Sequence, residues 1–389
     1  MMILRVRRRV VPFAVSCFAL SPAADAQQPV FKSSLHDYRI TTVVSGLVNP
    51  WAMAFLPNGD LLVTERPGRL RIVRHGKLLD AAVTGTPEVF ARGQGGLLDI
   101  ALHPQFATNK LIYLSYAKPV AGGATTAVAR GKFENDKLSD VQDIFVADTK
   151  GAPGHFGSRL AFDKAGFLFI TAGDRQVPPE GNLEAHPAQD LSNDHGKIIR
   201  LHDDGRVPAD NPFVGRTNAK PEIWSYGHRN MQGLLVHPET GDLWETEHGP
   251  QGGDELNLIK RGANYGWPVI GFGVNYGPGK AIHSSTIKPG MEQPVNVWVP
   301  SIATSGLLLY TGDKFPAWKG SLFVGGMAGE QLVRVVLKGQ TAEVGDILAR
   351  KQGRIRDVRQ GLDGLIYLAI DNAEGKPTPI LRLEPVARR

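Results

Sequence analysis

The feature of this sequence that most constrains its fold is a repeated unit of two short strands joined by a turn. In each copy an apolar strand runs into a turn of Pro, Asp or Gly, and a second strand rich in β-branched or aromatic residues follows. Six copies begin at Ala54, Ala101, Ala161, Leu235, Leu309 and Val358, so their starts are 47, 60, 74, 74 and 49 residues apart. Intervals of about 40–50 residues, longer where loops are inserted, are typical of β-propeller blades. The sequence therefore predicts an all-β, six-bladed β-propeller with four-stranded antiparallel blades.

One closed domain over residues 27–389 is expected, because no low-complexity or Pro/Ser-rich linker separates any two copies. With 45 Gly and 27 Pro, the chain has no long window with a clean 3.6-residue apolar period, so very little helix is expected. The segment from Tyr38 to Val44 precedes the first copy and has strand composition. We expect it to pair with the last blade and close the ring, which would remove an exposed sheet edge.

The first 26 residues have the pattern of a secretory signal peptide. Four arginines between Arg5 and Arg9 precede an apolar stretch from Val10 to Leu20, and Ala24-Asp25-Ala26 fits a small-x-small cleavage site. The apolar stretch is shorter than the roughly 20 residues that a membrane-spanning helix needs, and no later uncharged stretch is longer. We therefore expect export to the periplasm and no transmembrane segment.

Cysteine content and charge narrow the function classes further. The only cysteine, Cys17, lies within the signal, so the mature protein is expected to contain no disulfide. Lipidation at Cys17 is an alternative, although the residues before it fit a lipoprotein signal poorly. The formal charge of +6 falls to 40 − 37 = +3 without the four Arg and one Asp of the signal. That charge is too small to indicate nucleic-acid binding.

Two Gly-bounded segments carry candidate catalytic groups. His155, on a predicted loop between glycines, titrates near neutrality and suits a general base for a hydroxyl proton, with a surface or capping histidine as the alternative. Arg229 could clamp a carboxylate or stabilise oxyanion charge, and Asn230 and Gln232 add paired donors and acceptors. For this second segment, residues 226–233, a solvated turn is the alternative.

Two further regions indicate a cation and an anion. Residues 247–257 and 264–268 are Gly- and Pro-rich turns near carboxylates, and their backbone carbonyls are the hard oxygen ligands that Ca²⁺ prefers. No thiol or close histidine cluster there favours zinc or copper. Arg354 and Arg356 project from one face of a predicted strand and suit a polycarboxylate or phosphate, with a salt bridge to Asp357 as the alternative. No Gly-rich phosphate loop opens a helix, which argues against a nucleotide.

Together and in this order, the motifs resemble those of the soluble PQQ-dependent glucose and aldose sugar dehydrogenases. The matching segments are 93–98 (GQGGLL) with His103-Pro104, Gly154-His155, 227–233 (GHRNMQG), 248–250 (HGP), 264–268 (NYGWP) and 354–357 (RIRD). The resemblance runs from about residue 40 to the C-terminus. It implies a propeller that binds pyrroloquinoline quinone (PQQ) and Ca²⁺ at one mouth. It also implies oxidation of the C1 hydroxyl of aldoses to lactones, with electrons passed to an external acceptor.

The resemblance implies roles for individual residues as well. His155 would take the C1 hydroxyl proton, Gln94 would orient the sugar, and Arg229 would stabilise charge on the quinone oxygens. The other implied contacts are to the cofactor (Asn230, Gln232, His248, Ser301, Arg354, Arg356) and to calcium (Gly249, Pro250, Glu255, Tyr265). The first two calcium residues would ligate the catalytic ion through their carbonyls. Glu255 and the Tyr265 carbonyl would belong to a second, structural ion.

The sequence also departs from the glucose-specific members of that family. Residues 325–329 contain no Lys, His248 replaces a Gln, and residues 300–305 lack a Trp that flanks the sugar. These differences favour the broad-specificity aldose branch. Two other functions stay open on the sequence. One is a calcium-dependent propeller lactonase, which needs several carboxylates converging on one metal in the channel. The other is a propeller that binds without catalysis.

Overall fold

The computed structural model describes residues 29–149, 151–277 and 279–387. Within these residues, six separate antiparallel sheets of four strands account for the fold. In the described part of the chain, helix is limited to α1 (Phe106–Asn109) and three short 3-10 turns at Leu183–Ala185, Pro187–Gln189 and Pro316–Trp318. The predicted six-bladed, all-β architecture is confirmed. The predicted signal peptide, residues 1–26, and Cys17 lie outside the described residues.

The strands follow one another around the ring in chain order. The first, β1 (Asp37–Val48), belongs to the last blade. Blade 1 contains β2 (Pro50–Phe55), β3 (Leu61–Glu65), β4 (Arg69–Arg74) and β5 (Lys77–Leu78). Blade 2 contains β6 (Leu97–Leu102), β7 (Leu111–Val120), β8 (Gly123–Glu134) and β9 (Lys137–Val146). Blade 3 contains β10 (Leu160–Phe162), β11 (Leu168–Ala172), β12 (Lys197–Leu201) and β13 (Ile223–Tyr226). Blade 4 contains β14 (Met231–Val236), β15 (Leu243–Glu247), β16 (Asp254–Ile259) and β17 (Asn296–Trp298). Blade 5 contains β18 (Thr304–Leu309), β19 (Ser321–Gly326), β20 (Gln331–Lys338) and β21 (Thr341–Leu348). Blade 6 contains β22 (Arg354–Gln360), β23 (Ile366–Asp371) and β24 (Pro377–Val386), and β1 is its fourth strand.

Each predicted repeat is the hairpin formed by the first two strands of a blade. The first strand of every blade contacts the first strand of the next, so these six strands surround the central channel. Apolar side chains fill the space between blades, as Leu62 of β3 and Leu114 of β7 do between blades 1 and 2. Burying each such side chain contributes about 1.5–3 kcal/mol, so packing of the blades against one another stabilises the ring.

The ring is closed by the two ends of the described chain. Strand β1 pairs with β24 in a register that runs from Asp37 opposite Val386 to Val48 opposite Pro377. The Tyr38 ring is buried against Trp318 of blade 5, and its hydroxyl accepts a hydrogen bond from the Ala349 N–H. The expected closure of the ring by this segment is confirmed.

A buried ion network crosses the channel near its middle. Arg159 of the short loop before β10 lies 2.9 Å from Asp357 of β22 and 3.4 Å from Asp99 of β6, and Arg359 contacts both carboxylates at 2.8 and 3.0 Å. On one side of the network, the guanidinium of Arg159 stacks on Trp51, 4.1 Å from the ring centroid. On the other side, Arg359 lines the opening at the other end of the channel, where most lining residues are apolar. The network therefore separates the two ends of the channel. No helix in the described part of the chain is long and apolar enough to cross a membrane.

Candidate active site

A polar cavity of about 270 Å³ lies at the mouth of the channel where the inner strands begin. Six of the predicted site residues line it: Gln94, Asn230, Gln232, His248, Arg354 and Arg356. They come from loops and strand ends of blades 2, 4 and 6, so only the closed ring brings them together. Gln232 connects them further, because its amide donates to Asn230 and its Oε1 accepts from Arg356.

A second, smaller cavity lies beside the first and shares His248 with it. It is lined by Arg229 and by the four predicted calcium residues Gly249, Pro250, Glu255 and Tyr265. Ser301, the remaining predicted cofactor contact, lines neither cavity, and its hydroxyl lies 3.5 Å from the Pro250 carbonyl. The structure thus groups the predicted anion-binding and cation-binding residues into two adjoining spaces.

His155 is buried beside the main cavity rather than exposed on the surface, so the surface alternative is wrong. Its backbone N–H donates to Gln94 Oε1 at 2.8 Å, and its Nδ1 lies 2.6 Å from Asp174 Oδ1. Burial lowers the pKa of His155 against the opposing effect of the Asp174 carboxylate, and the charge of Arg229 lowers it further. The imidazole is therefore neutral at pH 7. Because Nδ1 is hydrogen-bonded to the carboxylate, Nε2 carries the free lone pair.

Asp174 is a functional residue that the sequence analysis missed. Burial alone would raise its pKa, but the interactions with His155 and Arg229 lower it, so the carboxylate is ionised. Its Oδ2 accepts a hydrogen bond of 2.8 Å from the indole N–H of Trp267. A Cβ at position 173 would lie 2.1 Å from the His155 carbonyl oxygen, so only glycine lets Asp174 approach the histidine. A Gly-Asp pair at a strand end carries no distinctive sequence signal.

Arg229 has the buried position expected of a functional arginine, and its segment is not a solvated turn. His228, Asn230 and Gln232 are buried with it. Its Nη1 donates to the carbonyls of His248 and Gly249 at 3.0 and 2.7 Å, and its buried Nε has no partner. The Gly249 carbonyl, a predicted calcium ligand, is therefore occupied by a guanidinium in this structure.

Arg354 and Arg356 face the cavity together, as predicted, and the alternative salt bridge to Asp357 is wrong. Asp357 pairs with Arg159 and Arg359 instead, in the network that crosses the channel. The Nε atoms of Arg354 and Arg356 are buried without a partner. Orphaned guanidinium donors around a polar cavity fit a ligand with several carboxylates.

Acidic side chains converge beside the second cavity. Glu245 and Glu247 lie on one face of β15, and Glu255 lies directly opposite Glu247 on β16. One oxygen of Glu245 is buried without a partner, and burial together with the charge of Glu247 raises the pKa of Glu255 to about 8. Among the described residues, no Lys or Arg forms an ion pair with any of the three.

Ligand atoms of His228, Glu245 and Glu247 lie within 4.8 Å of one another. Like charges directly opposite each other destabilise a sheet unless a cation lies between them. The side chains that could hold a metal ion together are therefore His228, Glu245 and Glu247, and the predicted ligand Glu255 lies opposite Glu247 on the neighbouring strand. The sequence analysis did not single out Glu245 because it lies inside an otherwise ordinary strand.

Comparison with known proteins shows what the whole chain is similar to. Residues 47–382 match the Glucose / Sorbosone dehydrogenase family. The Aldose sugar dehydrogenase YliI of Escherichia coli is 43% identical over 346 residues, which cover 87% of this chain and 91% of that protein. The crystal structure of the soluble aldose sugar dehydrogenase from E. coli in the apo-form superposes with a TM-score of 0.84 at 41% identity, over 90% of this chain and all of that one. The PQQ-bound form of aldose sugar dehydrogenase from Streptomyces coelicolor superposes with a TM-score of 0.72 at 29% identity, over 90% of this chain and 98% of that one.

Proposed function

The chain belongs to the glucose and sorbosone dehydrogenase family and is a sugar dehydrogenase, and we propose that it oxidises the C1 hydroxyl of aldoses to lactones using PQQ and Ca²⁺. The observation that carries this proposal is a neutral, carboxylate-bound histidine whose backbone N–H contacts Gln94 in the wall of a cavity that has more arginines than carboxylates. The histidine provides a base for a hydroxyl proton. The arginines provide a site for a polycarboxylate.

In the proposed reaction His155 takes the proton of the C1 hydroxyl on its free Nε2. Asp174 accepts the Nδ1 hydrogen bond throughout, so it keeps the ring oriented and stabilises the imidazolium that forms. Gln94 lines the cavity and is fixed by the His155 N–H, which suits it to orient the sugar. PQQ, when bound, supplies the two-electron acceptor that no side chain of this protein can provide.

The residues that would hold the cofactor are those around the main cavity. Arg354 and Arg356 would bind carboxylates, Asn230 and Gln232 would donate or accept hydrogen bonds, and His248 lines the same cavity. Ser301 lies outside it, near the Pro250 carbonyl, and would add a hydroxyl contact. Burial lowers the pKa of His248 to about 4, so it is neutral, and its Nε2 lies 2.6 Å from the Thr304 carbonyl oxygen. It would therefore act as a hydrogen-bonding group rather than as a cation.

Calcium would occupy the second cavity in this proposal. The carbonyls of Gly249 and Pro250 would ligate the catalytic ion, which requires the Arg229 guanidinium to leave the Gly249 carbonyl and become available for charge on the cofactor. Glu255 and the Tyr265 carbonyl would hold a second ion, with Glu245 and Glu247 close by. Both ions would meet oxygen ligands, which is the preference of Ca²⁺.

We further propose a broad range of aldose substrates, an external electron acceptor and a periplasmic location. The sequence support for breadth is the absence of the Lys in residues 325–329 and of the Trp in residues 300–305. The support for export is the N-terminal Arg-rich and apolar pattern of residues 1–26.

A dye-linked assay of the purified protein with a panel of aldoses tests the proposal. Activity on several aldoses should require both PQQ and Ca²⁺, and His155→Ala should reduce kcat by about 10²–10⁴-fold. His75→Ala, which changes an exposed histidine in the turn between β4 and β5, serves as the matched control and should remain active. Full activity of the His155→Ala variant, or no activity of the reconstituted protein on any aldose, would contradict the proposal.

The geometry gives the lactonase alternative little support. Its metal would need carboxylates in the channel, but the buried carboxylates Asp99, Asp357 and Asp371 of the channel are each paired with an arginine. The unpaired carboxylates lie on β15 and β16, the second and third strands of blade 4, away from the channel. Hydrolysis of a sugar lactone by the purified protein without added PQQ would nevertheless support the lactonase alternative.

A further inference from the structure

Arg66 lines the main cavity although no sequence motif singled it out. It lies in the turn between β3 and β4 of blade 1, next to blade 6, which carries Arg354 and Arg356. Its backbone is fixed from two sides, because its N–H donates to the Asn49 carbonyl and its own carbonyl accepts from the Leu97 N–H, both at 3.1 Å. Its Nη1 donates to the Gly93 carbonyl at 2.9 Å. The side chain is therefore held at the junction of blades 1 and 2, beside the loop that carries Gln94.

The guanidinium of Arg66 lacks a counter-charge of its own. Its Nε is buried without a partner, and no carboxylate of the described chain lies within ion-pair distance of it. Arg354 is in the same situation, and Arg356 reaches only Asp371, at 3.5 Å. Three guanidinium groups thus line one cavity with a single carboxylate, Asp371.

This excess of positive charge around the cavity is unfavourable without an anion. Burial lowers the pKa of Arg356 to about 10, Asp371 acts against that shift, and the charge of Arg66 adds to it. Buried guanidinium groups are stable when each meets an anion with matching hydrogen bonds. A ligand with several carboxylates would satisfy all three groups at once.

We propose that Arg66 is a third cofactor-binding arginine, which binds a carboxylate of PQQ together with Arg354 and Arg356. The inference rests on the proposed function and deepens it, because it adds a residue from blade 1 to an anion site otherwise formed by blade 6. PQQ is a tricarboxylate, so its charge matches the three guanidinium groups. The contact between Arg66 and the Gly93 carbonyl also links this anion site to the loop of Gln94.

Binding of PQQ to the apo-protein in the presence of Ca²⁺ tests the role of Arg66 without measuring turnover. The dissociation constant, followed by fluorescence quenching or equilibrium dialysis, should rise about tenfold to a hundredfold in Arg66→Met, because a charge-assisted hydrogen bond is lost. The same substitution should have little effect on binding of the PQQ trimethyl ester, whose carboxylates carry no charge. Arg92→Met is the matched control, since it removes the same charge from an exposed residue of the neighbouring loop, and its dissociation constant should stay within about twofold.

The outcomes separate the two proposals. If the unmodified protein fails to bind PQQ, the proposed function fails, and the inference about Arg66 fails with it. If the unmodified protein binds PQQ and Arg66→Met binds it equally well, or loses the same factor for the ester, only the role of Arg66 is refuted. Should Arg66→Met fail to fold, as judged by circular dichroism, Arg66→Lys replaces it. That variant keeps the positive charge but loses the paired N–H donors of the guanidinium, so the dissociation constant for PQQ should rise about threefold. An unchanged dissociation constant would refute the role of Arg66.

Discussion

A histidine can accept a proton only while it is neutral, and the surroundings of His155 favour that state. Burial lowers its pKa below the usual 6.5, and Asp174 acts in the opposite direction. Because the base is active when deprotonated, kcat/KM should rise with pH through this lowered pKa and stay level above pH 6.5. The acidic limb of the profile therefore reports the environment of His155.

Asp174→Asn should move that limb. The carboxylate raises the pKa of His155, so its removal should shift the acidic limb to lower pH. It should also lower kcat by about tenfold or more, because the imidazolium loses its counter-charge. A pH profile of kcat/KM for both proteins measures the two effects. An acidic limb at higher pH in the variant would show that Asp174 does not interact with the base in this way.

Trp267 should act on the reaction through Asp174. Its indole N–H donates to Asp174 Oδ2, and its ring lies 5.1 Å from the Arg229 guanidinium. Trp267→Phe should lower kcat about three- to tenfold with little change in the KM for sugar, because a buried carboxylate oxygen loses its donor. Trp244→Phe is a matched control, since the indole N–H of Trp244 is buried without a partner. Equal losses of kcat in both variants would show a general packing effect instead.

The predicted site residues that the structure brings together lie in distinctive local motifs. His155, Arg229, Arg354 and Arg356 are each flanked by glycines or by another charged residue, so the chemistry is visible in a short window. Asp174 and Arg66 lie in no such motif, because each acquires its role from residues on a different strand or blade. Contacts between distant segments leave no trace in the composition of either segment.

At the scale of elements, strands β15 and β16 carry the most unusual charge pattern. The buried carboxyls of Glu245 and Glu255 have raised pKa values, chiefly because burial disfavours their ionised form and also because of the charge of Glu247. The folded protein therefore holds these protons to a higher pH than the unfolded chain does. Its free energy of unfolding should fall as the pH rises from about 4.5 to about 8 in the absence of metal.

Calcium should reverse this loss, because it binds the ionised carboxylates. At a concentration of about 100 times its dissociation constant it should raise Tm by roughly 5 °C at pH 8, and by less at pH 5. Thermal unfolding with Ca²⁺ and with a chelator measures the difference. Glu255→Gln should remove most of the calcium effect, whereas Glu239→Gln, on an exposed turn, should leave it unchanged. If calcium raises the Tm of Glu255→Gln as much as that of the unmodified protein, the stabilising ion does not bind at Glu255.

The sequence identified the first hairpin of every blade, but of the third and fourth strands it identified only β1. The hairpins have a local signal, an apolar strand followed at once by a turn and a second strand. The third and fourth strands vary from two residues in β5 to twelve in β1 and β8, and their pairing depends on the neighbouring strand. For the remaining strands, the sequence analysis inferred that they exist from the four strands that a blade requires. It did not predict where each of them begins and ends.

At the scale of the whole molecule, the ion network in the channel joins blades 2, 3 and 6. Arg159 also donates to the Gln232 and Arg356 carbonyls, so the network supports the floor of the candidate site. Arg159→Met leaves two buried aspartates with one arginine and should lower the free energy of unfolding by about 3–5 kcal/mol. Arg206→Met, which breaks an exposed ion pair with Asp204, should cost less than about 1 kcal/mol. Denaturant unfolding of both variants provides the comparison, and equal losses would show that the network contributes no more than a surface pair.

The pairing of β1 with β24 has a consequence for synthesis of the protein. Blades 1 to 5 are each made of consecutive strands and can form as the chain emerges, but β1 has no partner until residues 377–386 have been translated. During that interval its backbone donors and acceptors are open to other chains or to proteases. A premature stop codon anywhere before β24 thus yields an open ring, however many blades it contains. Quality control could recognise such a product by its unpaired first strand.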